Sequence, residues 1–234
     1  MIIGSGMLAK AFAGRANDEQ NIIFASGVSN SAETNRDEFL REENLLRATM
    51  QAHSDKKLIY FSTCSIYDST LQNSLYVYHK TNMERLIREN QRKFIIFRLP
   101  QVVGFTRSPT VINFLYHKIL EEECFDLWVN SKRNLIDVED VVKVIDYILD
   151  NQLVINQIVN LAAPQSSSIY EIVMVLEQLV RKRAIYRIAD KGTFYHIDLS
   201  QVKGIYTQLG ITFGVDYVSK LIGKYYADPM QTIN

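Results

Sequence analysis

Two hydrophobic rhythms alternate along the chain. Short continuous apolar runs, Leu58-Ile59-Tyr60-Phe61 and Phe94-Ile95-Ile96-Phe97-Arg98-Leu99, have the character of strands buried on both faces. The first ends in the hydroxyls Ser62 and Thr63, the second at Pro100. Asn21 to Ala25 reads as a further strand and Met1-Ile2-Ile3 as a very short one. Between them the apolar positions take helical spacing, over 36–53 (Phe39, Leu40, Leu45, Leu46, Met50) and over 76–90. Beyond Gly104 the pattern predicts a helix over 111–122, a strand over 125–129, and a helix capped by Asp137 that runs to Asn151. That helix presents Val138, Val141, Val142, Ile145, Ile148 and Leu149 inward. A strand over 157–162, a capping box at Ser168-Ile169-Tyr170-Glu171 opening a helix to Val180, a strand over 184–188 and two short helices, the last over 216–226, complete the chain. Strands alternating with helices make this an α/β protein with a mainly parallel sheet.

The bulk numbers narrow the function more than the fold. With 234 residues, 47% of them hydrophobic, the chain can bury a sizeable core. Its 26 basic residues balance 26 acidic ones, which argues against nucleic acid or an anionic membrane as a bulk partner and leaves room for a local phosphate site. Cys64 and Cys124, far apart and without metal-ligand spacing, exclude a disulfide framework or zinc site, and no metal is expected. No run approaches the length of a membrane span, and the first residues lack the pattern of a signal peptide, so a cytoplasmic location is expected. There is no internal repeat, low-complexity tract or long linker.

Chemistry concentrates at two places. Gly4-Ser5-Gly6-Met7-Leu8-Ala9 follows the first strand, and such a turn either lets the backbone approach a pyrophosphate or satisfies a tight strand-to-helix connection sterically. Tyr76, Lys80 and Glu84 fall one turn apart on a single helix face, downstream of Thr63. An ammonium beside a phenol favours the phenolate, which suggests proton transfer; the bland reading is an aromatic core residue beside a solvated lysine. Of the thirteen tyrosines only Tyr76 has a lysine four positions on. Cys64, with no base or metal partner, is expected to be a packing residue, His79 to lie at the surface or an interface, and Arg41-Glu42-Glu43 to form a solvated helix face.

Taken in order, these motifs resemble the extended short-chain dehydrogenase/reductase family, the NAD-dependent epimerases, dehydratases and ketoreductases that modify nucleotide sugars. Gly4 to Ala9 is similar to its cofactor turn, Phe24-Ala25-Ser26-Gly27 to its small-residue loop, and Asn44 to a helix asparagine. Ser62-Thr63-Cys64-Ser65-Ile66-Tyr67-Asp68 and Tyr76-x-x-x-Lys80 resemble the catalytic segments. Arg98 to Gly104 is similar to the segment closing over the nicotinamide, and Arg133 to Val141 to a signature of the sugar-nucleotide domain. The resemblance implies a Rossmann-like fold with helices on both faces of the sheet, shortened in its N-terminal half. Residues 1–108 would form the cofactor-binding and catalytic part, and 109–234 a small α/β substrate-binding subdomain with interleaved elements. It implies NAD or NADP, held by Gly4, Ser5, Gly6, Met7 and Leu8, by Ala25, Ser26 and Gly27, and by Ser62, Lys80, Leu99, Pro100 and Val102. Tyr76 would be the acid/base, Thr63 would bond the same substrate oxygen, and Lys80 would hold the nicotinamide ribose. Ser65, Gln101 and Arg133 would touch a nucleotide-sugar substrate; Arg133 would grip its diphosphate or merely pair with Asp137.

Two departures from the family pattern carry consequences. Cys64 and Ser65 stand where the dehydratases carry an acidic pair, so reduction, oxidation or epimerisation is expected instead. The family's second and third strands are missing, and with them the residue that reads the adenosine ribose. Running the first helix straight into the family's fourth strand then requires an unusual crossover hand or a rebuilt turn. The expected activity is that of an NAD(P)-dependent reductase or epimerase of a nucleotide sugar, with 4-keto-sugar reduction favoured, and the helices over 36–53 and 76–90 are expected to pair a homodimer. The alternative is a non-catalytic sugar-nucleotide-binding or scaffold protein that has lost the dinucleotide site.

Overall fold

The computed structural model describes residues 1–227; the last residues of the expected substrate-binding part, 228–234, lie outside the described residues. A five-stranded, wholly parallel sheet forms the centre. Its strands are β1 (Ile2–Ile3), β2 (Asn21–Phe24), β3 (Lys57–Thr63), β4 (Phe94–Leu99) and β9 (Gln157–Asn160), in that spatial order. The strands expected from the apolar runs are present within a residue or two, and α2 (Arg36–Ala52) and α3 (Leu75–Asn90) connect β2 to β3 and β3 to β4.

Strand alternation sorts the core into two faces. Ile22, Phe24, Leu58, Tyr60, Phe94 and Ile96 point to one side and pack against Leu46 and Met50 of α2 and Met83, Leu86 and Ile87 of α3. Ile23, Ile59, Phe61, Ile95, Phe97 and Val159 point to the other. There they meet Phe12, which follows α1 (Met7–Ala11), and the apolar stripe of α5 (Val138–Asp150). That stripe includes Val144, while Val142 is only half-buried.

This sorting settles the crossover question. The chain moves across the sheet in one direction from β1 to β4, yet α1 lies on the face opposite α2 and α3. Parallel strands crossed in the same direction by helices on opposite faces have connections of opposite hand. The α2 and α3 crossovers share a face and take the usual right hand, so the first connection is left-handed, the rare alternative. The sheet ends at β1: no strand lies beyond it among the described residues.

A second core forms largely from residues beyond 108, with Val103, Met7 and Leu8 also contributing to it. Here α4 (Val111–Leu120), α6 (Ile169–Val180) and α8 (Tyr217–Tyr226) enclose Ile112, Leu115, Ile119, Ile172, Leu176 and Ile222. Three strand pairs complete it. β5 (Gln101–Val103) lies beside β8 (Leu135–Asp137), β6 (Phe125–Trp128) beside β11 (Tyr186–Ala189), and β7 (Lys132–Arg133) beside β10 (Ser167–Ser168). The pairs β5–β8 and β7–β10 have no signature in the apolar pattern because each is only two or three residues long. The capping box at Ser168 and the Asp137 cap form as expected. Both α5 and β9 return to the central sheet, as does α7 (Lys203–Gln208), whose Ile205 and Tyr206 join the core on the α5 side.

Gly4 shows why the first turn needs its glycines. Its φ is +127°, and a Cβ there would sit 2.3 Å from the carbonyl oxygen of Ala25. Gly4→Ala is therefore expected to cost about 2–4 kcal/mol in urea unfolding, through both the left-handed backbone and the collision. A loss below about 1 kcal/mol would show that β1 and β2 can separate.

Candidate active site

The site begins with α3. Ser74 caps it by accepting from the Val77 amide, which starts the helix one residue before Tyr76. Its inner face then brings Tyr76, Lys80 and Glu84 toward the carboxyl end of β3, with exposures of 7%, 2% and 4%. Thr63 ends β3, and its hydroxyl oxygen accepts from the Ser65 amide, capping a 3-10 turn over Cys64–Tyr67. The Thr63 O–H remains free to donate. The hydroxyl of Tyr76 has no hydrogen-bond partner among the described residues.

Lys80 is paired, but not with Tyr76. Its Nζ donates to Glu42 Oε1 at 2.9 Å, to the Tyr60 hydroxyl at 3.2 Å and to the Phe61 carbonyl at 3.4 Å. Glu42, from α2, is 0% exposed. It also accepts from the Val28 amide at 2.7 Å and the Tyr60 hydroxyl at 2.5 Å, and His79 Nε2 lies 2.9 Å from its Oε2. Burial alone would raise the pKa of this carboxyl; the charge of Lys80 and the bonds from His79, Tyr60 and Val28 outweigh burial and hold it well below the usual carboxylate range. Burial, followed by the Glu42 charge, pushes the Tyr60 phenol well above its ordinary value.

Two sequence expectations fail here. Glu42 is not on a solvated face, because α2 turns that position directly onto β3 and α3. His79 is not at the surface, because it packs against Phe39 and bonds Glu42. Asn44, matched to the family's helix asparagine, is exposed. The signal for Glu42 was in the spacing: four residues before Leu46 and eight before Met50, it shares their buried stripe.

Glu84 anchors rather than reacts. It accepts both Nε and Nη2 of Arg98 (2.9 and 2.6 Å) and the Ser62 hydroxyl (2.5 Å), and Arg98 Nη1 reaches the Tyr67 hydroxyl at 2.8 Å. This network ties α3 to the ends of β3 and β4. Cys64 is buried, its thiol donates to the Arg98 carbonyl, and burial pushes that thiol up to about 12, so it is neutral packing material as expected.

These elements open onto a cleft of about 730 Å³. Thr63, Tyr76 and Lys80 line it. So do Gly6, Met7, Leu8, Ala25, Gly27, Ser62, Leu99, Pro100 and Val102 of the expected cofactor set, and Ser65, Gln101 and Arg133 of the expected substrate set. Gly4, Ser5 and Ser26 do not. Gly4 serves the turn, and Ser26 bonds Arg41. Gly6 has nothing within 4 Å of where a Cβ would stand, so no steric need inside the protein explains it. A ligand backbone pressed against the turn would fill that space, so the residues present fit a dinucleotide. Arg133 has no acidic partner among the described residues; Asp137, the rival partner, instead caps α5 and bonds Lys224 and Tyr225. Gln101 Nε2 is buried without a partner. Tyr195 reaches the cleft unannounced by any pattern; it arrives on the irregular segment after β11, where no periodicity marks it.

A fold of parallel β-α units with a glycine turn, a β3 hydroxyl and a Tyr-Lys helix at one cleft defines a dinucleotide-dependent class of protein. Residues 21–162, more than half the chain, match the profile of the NAD dependent epimerase/dehydratase family, and the chain belongs to that family. Among solved structures it is similar to the Thermus thermophilus UDP-glucose 4-epimerase in complex with NAD, at 17% identity over 91% of this chain and 79% of that one, TM-score 0.67. The Bifidobacterium longum UDP-glucose 4-epimerase with NAD+ and UDP gives 16% identity over 96% and 81%, TM-score 0.71. RMD from Pseudomonas aeruginosa with NADPH gives 13% over 97% and 98%, TM-score 0.71. At such identities the likeness is one of fold. No curated protein sequence matches significantly. The Rossmann-like architecture and the extended short-chain dehydrogenase/reductase resemblance both hold, and the cofactor class expected from the sequence, NAD or NADP, is that of the family and of these complexes.

The Glu42 pKa fixes a pH dependence. A carboxyl depressed below its ordinary 4.5 stabilises the fold above that pH and loses the contribution as pH falls toward the folded value. Thermal unfolding between about pH 3 and pH 7 should show the wild type losing stability below about pH 4.5. Glu42→Gln, lower by about 3–5 kcal/mol at neutral pH because it strands a buried ammonium, should converge on the wild type as pH falls. Parallel curves would contradict this assignment.

Proposed function

We propose that the protein is an NAD(P)-dependent oxidoreductase or epimerase of a nucleotide sugar, with 4-keto-sugar reduction the favoured reaction, acting in the cytoplasm on sugars of the kind used in surface polysaccharides. The supporting observation is convergence. Thr63 from β3, Tyr76 and Lys80 from α3, and Gly6 from the distant first turn belong to three different elements and line one cleft.

Tyr76 exchanges a proton with the reacting sugar oxygen, and Thr63 donates to that oxygen and fixes it. The dinucleotide supplies or takes up the hydride. Lys80 holds the nicotinamide ribose, and Gly6 lets the pyrophosphate approach the backbone. Arg133, which has no acidic partner among the described residues, takes the substrate diphosphate, and Gln101 Nε2, unpartnered among the same residues, donates to the substrate. Reduction is favoured over epimerisation because the short segment between Thr63 and Tyr76 leaves little room for a sugar to turn over. No helix among the described residues is long and apolar enough to cross a membrane. A homodimer through α2 and α3 is part of the proposal; their outer faces expose Leu40 and Tyr78.

A second reading, a sugar-nucleotide-binding protein without redox chemistry, is favoured by one feature: among the described residues the sheet stops at β1, where the family places the strands that carry the adenosine-ribose reader. Fluorescence titration with NADH and NADPH separates the two, and absence of binding below millimolar concentration would leave only the second. Given binding, Tyr76→Phe should abolish nucleotide-sugar-dependent oxidation of the reduced cofactor with its affinity nearly unchanged. Gly6→Val should leave stability intact and remove cofactor binding; the reverse pattern in either variant would refute the assigned role. Light scattering should return twice the 27.0 kDa of one chain.

A further inference from the structure

Glu42 has no part in the proton-transfer scheme, yet it is the most heavily bonded side chain at the site. One carboxylate, fully buried, receives the Val28 amide of the loop after β2, the Tyr60 hydroxyl of β3, and both His79 and Lys80 of α3. The loop rests directly on the ion pair. A Cβ at Gly27 would lie 2.6 Å from Lys80 Nζ and 2.9 Å from Glu42 Oε1, so this position needs glycine for the pair to exist.

The three N–H groups of Lys80 are held unequally. Glu42 at 2.9 Å and the Tyr60 hydroxyl at 3.2 Å hold two of them within ordinary hydrogen-bond range. The contact with the Phe61 carbonyl, at 3.4 Å, lies beyond the usual ~2.7–3.2 Å and is the weakest. A lysine stem is flexible, so its ammonium is aimed only where other groups fix it. We propose that Glu42 is a positioning residue: with Tyr60 it clamps Lys80 so that its third N–H is left for a hydroxyl of the cofactor's nicotinamide ribose. This rests on the reading of the cleft as a dinucleotide site and adds to it a residue from a different helix, 38 positions upstream of the lysine that it aims.

The test is cofactor affinity measured two ways, by fluorescence titration with NADH (or NADPH, if the wild type prefers it) and with a reduced analogue lacking the nicotinamide-ribose hydroxyls. Glu42→Gln should weaken the intact cofactor about tenfold and leave the analogue nearly unaffected. Tyr60→Phe, which removes one hydroxyl and keeps the ion pair, should show the same selectivity with a smaller loss of about threefold, and it decides the matter if Glu42→Gln fails to fold by near-ultraviolet circular dichroism. Unchanged affinities, or equal losses for both ligands, would reduce Glu42 to a purely structural role and overturn the proposal while leaving the dinucleotide reading standing. A wild type that binds neither cofactor overturns both.

Discussion

Glu42 and Lys80 carry opposite charges into a place from which water is excluded. Neither is tolerable there alone, because desolvating one unpaired ion costs several kcal/mol. Their attraction, reinforced by the Val28 amide, Tyr60 and His79, makes the arrangement stable. The consequence is geometric. With one carboxylate bonded to α3, β3 and the loop after β2, the helix bearing Tyr76 cannot slide against the strand bearing Thr63 without breaking a buried ion pair.

A second, half-buried pair works beside the first. Glu84 and Arg98 join the next turn of α3 to β4, and through Tyr67 and Asn160 the tie continues to β9. The inner face of α3 therefore alternates between residues that open to the cleft and residues that lock the helix down. Tyr76 belongs to the first kind, Glu84 to the second, and Lys80 to both. Spacing alone suggested a phenol served by a nearby ammonium; the ammonium is instead counterbalanced by a carboxylate from another helix, which converts a simple pair into a positioned one.

The other notable constraint is at the beginning of the chain. A left-handed connection through α1 is rare because the twist of strand and helix disfavours it. Here it keeps α1 on the α5 face, with Phe12 stacked on Phe61 at 5.7 Å, while β1 sits beside β2 with no strand beyond it among the described residues. The turn between β1 and α1 thereby opens onto the same cleft as the Tyr-Lys helix.

Local sequence determined the elements and the order of the motifs. The apolar runs of β3 and β4, the helical stripes of α2, α3 and α5, and the caps at Asp137 and Ser168 depend on neighbours a few residues away, so they were legible, as were Thr63, Tyr76, Lys80 and the glycine turn. Tertiary structure decided what depends on distant partners. It sank Glu42, expected on a solvated face, and His79, expected at the surface or an interface, into the packing behind the cleft beside Lys80, gave Asp137 to the α5 cap and α8 rather than to Arg133, and brought Tyr195 to the cleft from an irregular segment. A charged residue looks the same in sequence whether it faces water or a buried counter-ion. Only the packing of one helix on another distinguishes them, because burial and pairing are properties of two segments at once.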